Sequence, residues 1–69
     1  MKLTTHAQVR MAERGISRLD VHRAITNGHR WMSKDRTIVF EFGSVRAVVD
    51  PIKPAVITVI RVEGNACAN

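Results

Sequence analysis

The stretch from Thr37 to Asp50 leaves this chain little choice of fold. Ile38, Phe40 and Phe42 alternate with Val39 and Glu41, the period of a strand with one buried face. Gly43-Ser44 then has the form of a two-residue type II′ hairpin turn, with glycine where positive φ is needed. A turn at that point sets Phe42 against Val45, Phe40 against Ala47 and Ile38 against Val49. All six fall on one face, so turn and pattern specify the same register. Residues 37–42 and 45–50 therefore read as strands. Asp50-Pro51-Ile52-Lys53-Pro54 reads as a turn, and the β-branched run 55–62 as the strand that follows it. Residues 29–33 read as a short first strand turning at Lys34-Asp35. In the last strand the inward side is open. Ile57 and Val59 alternate with Thr58, Ile60 and Val62, and a slip of one residue exchanges Thr58 and Arg61 between faces.

A sheet with one apolar face needs a cover, and the first thirty residues supply two helices. Thr5 and Gln8 have the spacing of a capping box, which predicts a helix over 6–14. Gly15 suits a left-handed residue just past its end, with Ile16 as a hydrophobic anchor. Ser17 and Asp20 form a second capping box, predicting a helix over 18–26 that Asn27-Gly28 closes in the same way. Ala7, Val9, Met11 and Ala12 offer apolar surface on the first helix. Val21, Ala24 and Ile25 do so on the second, with Leu19 nearer the first. The expected architecture is α+β: two N-terminal helices packed on a three- to four-stranded antiparallel sheet, one domain over 1–69 with a loose tail at 63–69. A 69-residue chain buries only about 60% of its unfolded surface, so a partner chain can contribute to its stability.

Charge narrows the function. The net charge is +5, and residues 1–30 carry six basic against two acidic side chains. Eight of the eleven basic residues are Arg, the better residue for bidentate phosphate contacts. A field of this kind attracts polyanions. The one cysteine, Cys67, has no partner for an intramolecular disulfide and reads as a free thiol on the tail. The start is polar at once, unlike a signal peptide, and no apolar run approaches the roughly 20 residues of a membrane span. A cytoplasmic protein with no membrane partner is expected. His6, His22 and His29 are irregularly spaced, with no carboxylate or cysteine cluster beside them, so neither a metal site nor a cofactor is expected. Trp31 fits core packing better than base stacking.

On a wheel of 100° per residue, His6, Arg10, Glu13 and Arg14 fall within about 100° of one another. An imidazole beside two guanidinia is what metal-independent phosphodiester cleavage requires. The base takes a proton from the attacking 2′-hydroxyl, and the cations stabilise the charge that develops at phosphorus. The same residues are also ordinary contents of a solvated helix face. Arg18, Arg23, Arg30 and Arg46, with Thr58, are further candidate contacts to nucleic acid.

The run His6-Ala7-x-x-Arg10-x-x-x-Arg14-x-Ile16-Ser17 resembles the opening of a family of uncharacterised small bacterial and phage domains. Asp20-Val21, Ile25-Thr26-Asn27-Gly28, Val45 to Asp50 and Ile57 to Arg61 are similar as well, so the likeness covers roughly residues 5 to 62. That family is grouped with the barnase, EndoU, colicin and RelE-like fold of ribonuclease toxins. The resemblance implies transesterification to a 2′,3′-cyclic phosphate. His6 would act as base or acid, Arg10 and Arg14 would hold the phosphate, and Arg61 and Thr58 of the last strand would be partners. The chain has no Tyr, which several toxins of that fold use. The expected function is thus a small RNA-acting protein, a metal-independent endoribonuclease of toxin type, with RNA and an antitoxin as partners. Two rivals stand beside it: a non-catalytic nucleic-acid-binding module, and a protein-interaction module such as a phage-encoded inhibitor of a host protein complex.

Overall fold

The computed structural model describes residues 2–62; the expected tail at 63–69, with Cys67, lies outside the described residues. The elements run β1 (Lys2–Leu3), α1 (Thr5–Arg14), α2 (Arg18–Asn27), β2 (His29–Met32), β3 (Ile38–Phe42), β4 (Val45–Asp50) and β5 (Ala55–Arg61). They form an α+β fold with one five-stranded mixed sheet of order β1-β5-β4-β3-β2. The two helices cover one face. α1 lies over β5, and α2 lies across β3 and β4.

The central hairpin has the register read from its turn. Phe42 pairs with Val45, Phe40 with Ala47 and Ile38 with Val49. Gly43 adopts φ +61 while Ser44 stays out of the positive region, as a II′ turn demands. Val45, Ala47 and Val49 then point at the helices and join Ala7, Met11, Ile16, Val21, Ala24, Val56 and Val59 in one buried cluster. Phe40 packs against its edge. Phe42, at the far end of the hairpin, stays exposed.

One strand was not foreseen. β1 pairs in parallel with β5, Lys2 with Ala55 and Leu3 with Val56, so the sheet is mixed rather than antiparallel. Two residues carry no alternation for a sequence reading to detect. The same segment moves the first helix cap. Thr4, not Thr5, is the N-cap: it has extended φ/ψ, its backbone N–H continues the β1 pairing to the Val56 carbonyl at 3.1 Å, and its Oγ1 accepts from the Ala7 N–H at 3.1 Å. Thr4 Oγ1 also donates to the Ile57 carbonyl at 3.0 Å, so one hydroxyl caps α1 and anchors it to β5.

A β-bulge settles the open question of the last strand. Val48 pairs with Thr58 but Val49 pairs with Val56, leaving Ile57 as the extra residue. Val56 and Val59 therefore both face the core and are fully buried, which no strict alternation allows. Arg61, in register with Val45, falls on the helix side, and Thr58 on the opposite, uncovered face.

The helix ends follow their chemistry. The Ile16 N–H reaches back to the Met11 carbonyl at 2.9 Å past a left-handed Gly15, and Ile16 and Met11 share the core, as a Schellman ending requires. Ser17 and Asp20 form the second capping box. Gly28 departs from expectation: its φ is −80, not left-handed. Glycine stands there because a Cβ would lie 2.3 Å from the Ala24 carbonyl oxygen and 2.6 Å from that of Glu41, where the chain leaves α2 to pair with β3. Leu19 (54% exposed) and Val9 (48% exposed) lie outside the apolar stripes assigned to them.

Candidate nucleic-acid interface

His6, Arg10, Glu13 and Arg14 share the outer flank of α1, since Ala7 and Met11 turn inward. Arg10 Nη1 lies 2.5 Å from Glu13 Oε1, and Arg14 Nη1 lies 3.7 Å from the same oxygen. Two guanidinia against one carboxylate leave the flank with a surplus positive charge. Both partners are more than a third exposed, so the pairing contributes roughly 0–1 kcal/mol and yields readily to an incoming anion. His6 is exposed and makes no side-chain hydrogen bond among the described residues. At 1.5 Å rise per residue, about 6 Å of helix axis separates His6 from Arg10 and about 12 Å separates it from Arg14.

Arg61 is held elsewhere. Its guanidinium caps the C-terminus of α1: Nε and Nη2 donate to the Arg14 carbonyl at 3.1 and 2.9 Å, Nη2 donates to the Gly15 carbonyl at 3.1 Å, and Nη1 donates to Ser44 Oγ at 2.9 Å. It satisfies carbonyls that the helix itself leaves open and sits at the opposite end of α1 from His6. Ser44 was not singled out from the sequence; only its place in the turn marked it.

Thr58 and Arg46 lie on the sheet face that the helices leave uncovered. Arg46 grips Glu41, its cross-strand partner, through Nη2 at 2.9 Å and Nε at 3.3 Å. Its guanidinium carbon lies 5.3 Å from the centroid of the Trp31 ring, within cation–π range. His29 lies 5.5 Å from Trp31 with the rings tilted by 35°. Trp31 is thus half-buried on this outer face, beside the buried Val39 with which it pairs, and not in the main core.

The remaining arginines spread over the helix side. Arg30 is exposed on edge strand β2, paired with Phe40. Arg18 opens α2 and borders a groove of about 390 Å³ floored by Leu3, Val21 and Ile25, where His22 Nε2 lies 3.4 Å from Thr26 Oγ1. Arg23 stands on the other flank of α2, beside Arg61 in a cleft under the hairpin turn. The structure therefore brings His6, Arg10 and Arg14 together on one flank. It brings Arg23 and Arg61 together at another place, and Arg46 and Thr58 on a third surface.

Two carboxyls are displaced from ordinary behaviour. Asp20 is held below the usual carboxylate range by the Ser17 backbone N–H and then the Ser17 hydroxyl, with Arg23 and Arg61 adding to the effect. Asp35 is lowered by the Ser33 hydroxyl and then by Thr37, which together close the β2–β3 turn around Arg36 at φ 69. Among the described residues no three His, Cys, Asp or Glu side chains converge as a metal ion would need. Among the described residues no helix is long and apolar enough to cross a membrane.

A family model described as a domain of unknown function, DUF4258, matches residues 3–62, from β1 to just past the end of β5. The chain belongs to the DUF4258 family. The match includes the first-helix motif from His6 to Ser17, Leu3 of β1 and the whole of β2 to β5, so both the α1 flank and the Arg23–Arg61 cleft belong to the DUF4258 domain. No curated protein and no solved structure matches it.

Proposed function

We propose that this DUF4258 domain acts on RNA through the outer flank of α1, as a metal-independent endoribonuclease of toxin type in the cytoplasm, related in fold to the barnase and RelE-like ribonucleases. The observation that carries the reading is the placement of two guanidinia on one carboxylate, one turn and two turns after an exposed imidazole that has no side-chain partner among the described residues. In the proposed step His6 takes the proton from the ribose 2′-hydroxyl. The 2′-oxygen attacks the adjacent phosphorus, the 5′-oxygen leaves with a proton from water, and a 2′,3′-cyclic phosphate remains. Arg10 and Arg14 stabilise the charge on the phosphorane oxygens. The order of two helices before a β-meander supports the proposed kinship.

A second reading, a non-catalytic RNA-binding module, is favoured by one observation: Arg61 is committed to capping α1, which removes the strand partner the cleavage reading would draw on. One experiment separates the two. The pure protein is incubated with total RNA and with tRNA in EDTA at about pH 6 to 8, beside His6→Ala and Arg10→Gln. Fragments ending in cyclic phosphate that vanish in both variants support cleavage. Intact RNA bound with a steep salt dependence, and unaltered by His6→Ala, supports the binding module instead.

A further inference from the structure

We propose that the cleft between α2 and the β3–β4 turn is a phosphate-binding notch built by Arg23, Arg61 and Ser44. The cleft has a volume of about 210 Å³ and is lined by Arg23, Arg61 and Ser44, by the Asp20 carboxylate, and by Phe42, Gly43 and Val45 of the hairpin end. That is several times the roughly 30 Å³ of one water, room enough for a tetrahedral oxyanion.

The hydrogen-bond accounting shows which donors remain. A guanidinium has five N–H groups, and the four bonds of Arg61 to Arg14, Gly15 and Ser44 leave one, on Nη1. Ser44 Oγ accepts from that same Nη1, so its own O–H is free to donate. Arg23 makes no hydrogen bond or ion pair among the described residues. Arg61 is also fixed in place by its carbonyl contacts, so an anion meets one pre-oriented N–H and a fixed positive charge and not a free side chain. One carboxylate faces two guanidinia, and Asp20 spends its Oδ2 on the Ser17 N–H. The notch is therefore net positive, and the fields of Arg23 and Arg61 are felt at Asp20.

The notch stands on this geometry alone; that its phosphate comes from RNA rests on the proposed function. The test is NMR of the full chain, following the Gly43 and Ser44 amides and the Arg23 and Arg61 Nε–H groups at fixed ionic strength. Two probes are used: inorganic phosphate, and a short oligouridylate without a terminal phosphate. Saturable shifts at these four groups, weakened roughly tenfold in Arg23→Gln and Ser44→Ala, are expected. A response to the oligonucleotide alone assigns a backbone phosphodiester, and a response to inorganic phosphate alone assigns a free phosphate. No saturable shift with either probe, or shifts indifferent to Arg23→Gln, would overturn the notch. His6→Ala serves as the separating variant: it removes cleavage while leaving these shifts intact, so failure of the enzyme reading and failure of the notch are distinguishable.

Discussion

Gly28→Ala tests the packing of α2 on the sheet more sharply than any core truncation. At φ −80 an alanine is conformationally welcome, and loss of unfolded-state freedom alone would stabilise the fold by about 0.4–1 kcal/mol. Sterics oppose that gain. The new methyl would lie 2.3 Å from the Ala24 carbonyl oxygen and 2.6 Å from the Glu41 carbonyl oxygen, where ordinary contact begins at 3.4 Å. Both obstacles are backbone, one in the last turn of α2 and one in β3, so relief requires the end of the helix to unwind locally and the β3 backbone to shift as well. Overpacking of this kind costs about 1–3 kcal/mol or more. A domain of this size has roughly 3–10 kcal/mol in total, and each kcal/mol moves the melting midpoint by about 4–8 °C. Steric cost in the upper part of that range outweighs the entropic gain, and the expected result is a Tm lowered by roughly 10 °C in thermal unfolding followed by circular dichroism. The Val45, Ala47 and Val49 amides should also lose hydrogen-exchange protection. An unchanged or raised Tm would refute the close approach and return Gly28 to the role of an ordinary helix stop.

Two further outcomes are expected. Arg61→Ala removes three hydrogen bonds at the end of α1 and one to Ser44 and should lower stability by about 1–2 kcal/mol in urea unfolding, with Arg61→Lys recovering only part because an ammonium cannot fork across two carbonyls; a neutral Arg61→Ala would mean the cap is unimportant. Asp20 and Asp35 are both lowered below the ordinary 3.8, so the stability they contribute is present above that value and is lost as pH falls through their folded pKa values. Tm should therefore hold steady near neutrality and drop as pH goes below 3.8, and Asp20→Asn and Asp35→Asn should each flatten that drop; identical acid profiles would disprove the assignment.

The hairpin was legible because the turn residues and the alternation independently demanded one register, and Gly43 could serve no other purpose between Phe42 and Val45. The second capping box was legible for the same reason, two signals agreeing at Ser17 and Asp20. The last strand was not. Its inward residues depend on a bulge at Ile57, and the Ile57 carbonyl is held by a hydroxyl 53 residues earlier, a contact that local pattern cannot announce. The flank of α1 could be drawn from the 3.6-residue period alone. The role of Arg61 could not, because its partners are main-chain carbonyls that every sequence shares. Nor could the surroundings of Trp31, whose neighbours Arg46 and His29 come from two other strand positions on a face the helices leave uncovered.

The parallel pairing of β1 with β5 also sets an order of assembly. Lys2 meets Ala55, so the first strand to be synthesised must wait for the last before it can pair, while β2 to β5 close by short local turns. Contacts at such sequence separation carry the largest loop-closure cost and come late in folding. Thr4, which starts α1, takes its position from β5. On a nascent chain the motif from His6 to Arg14 therefore stays unpositioned until almost the whole of the family-matched region has emerged, and the surface proposed to meet RNA is withheld until β5 is available to receive Thr4.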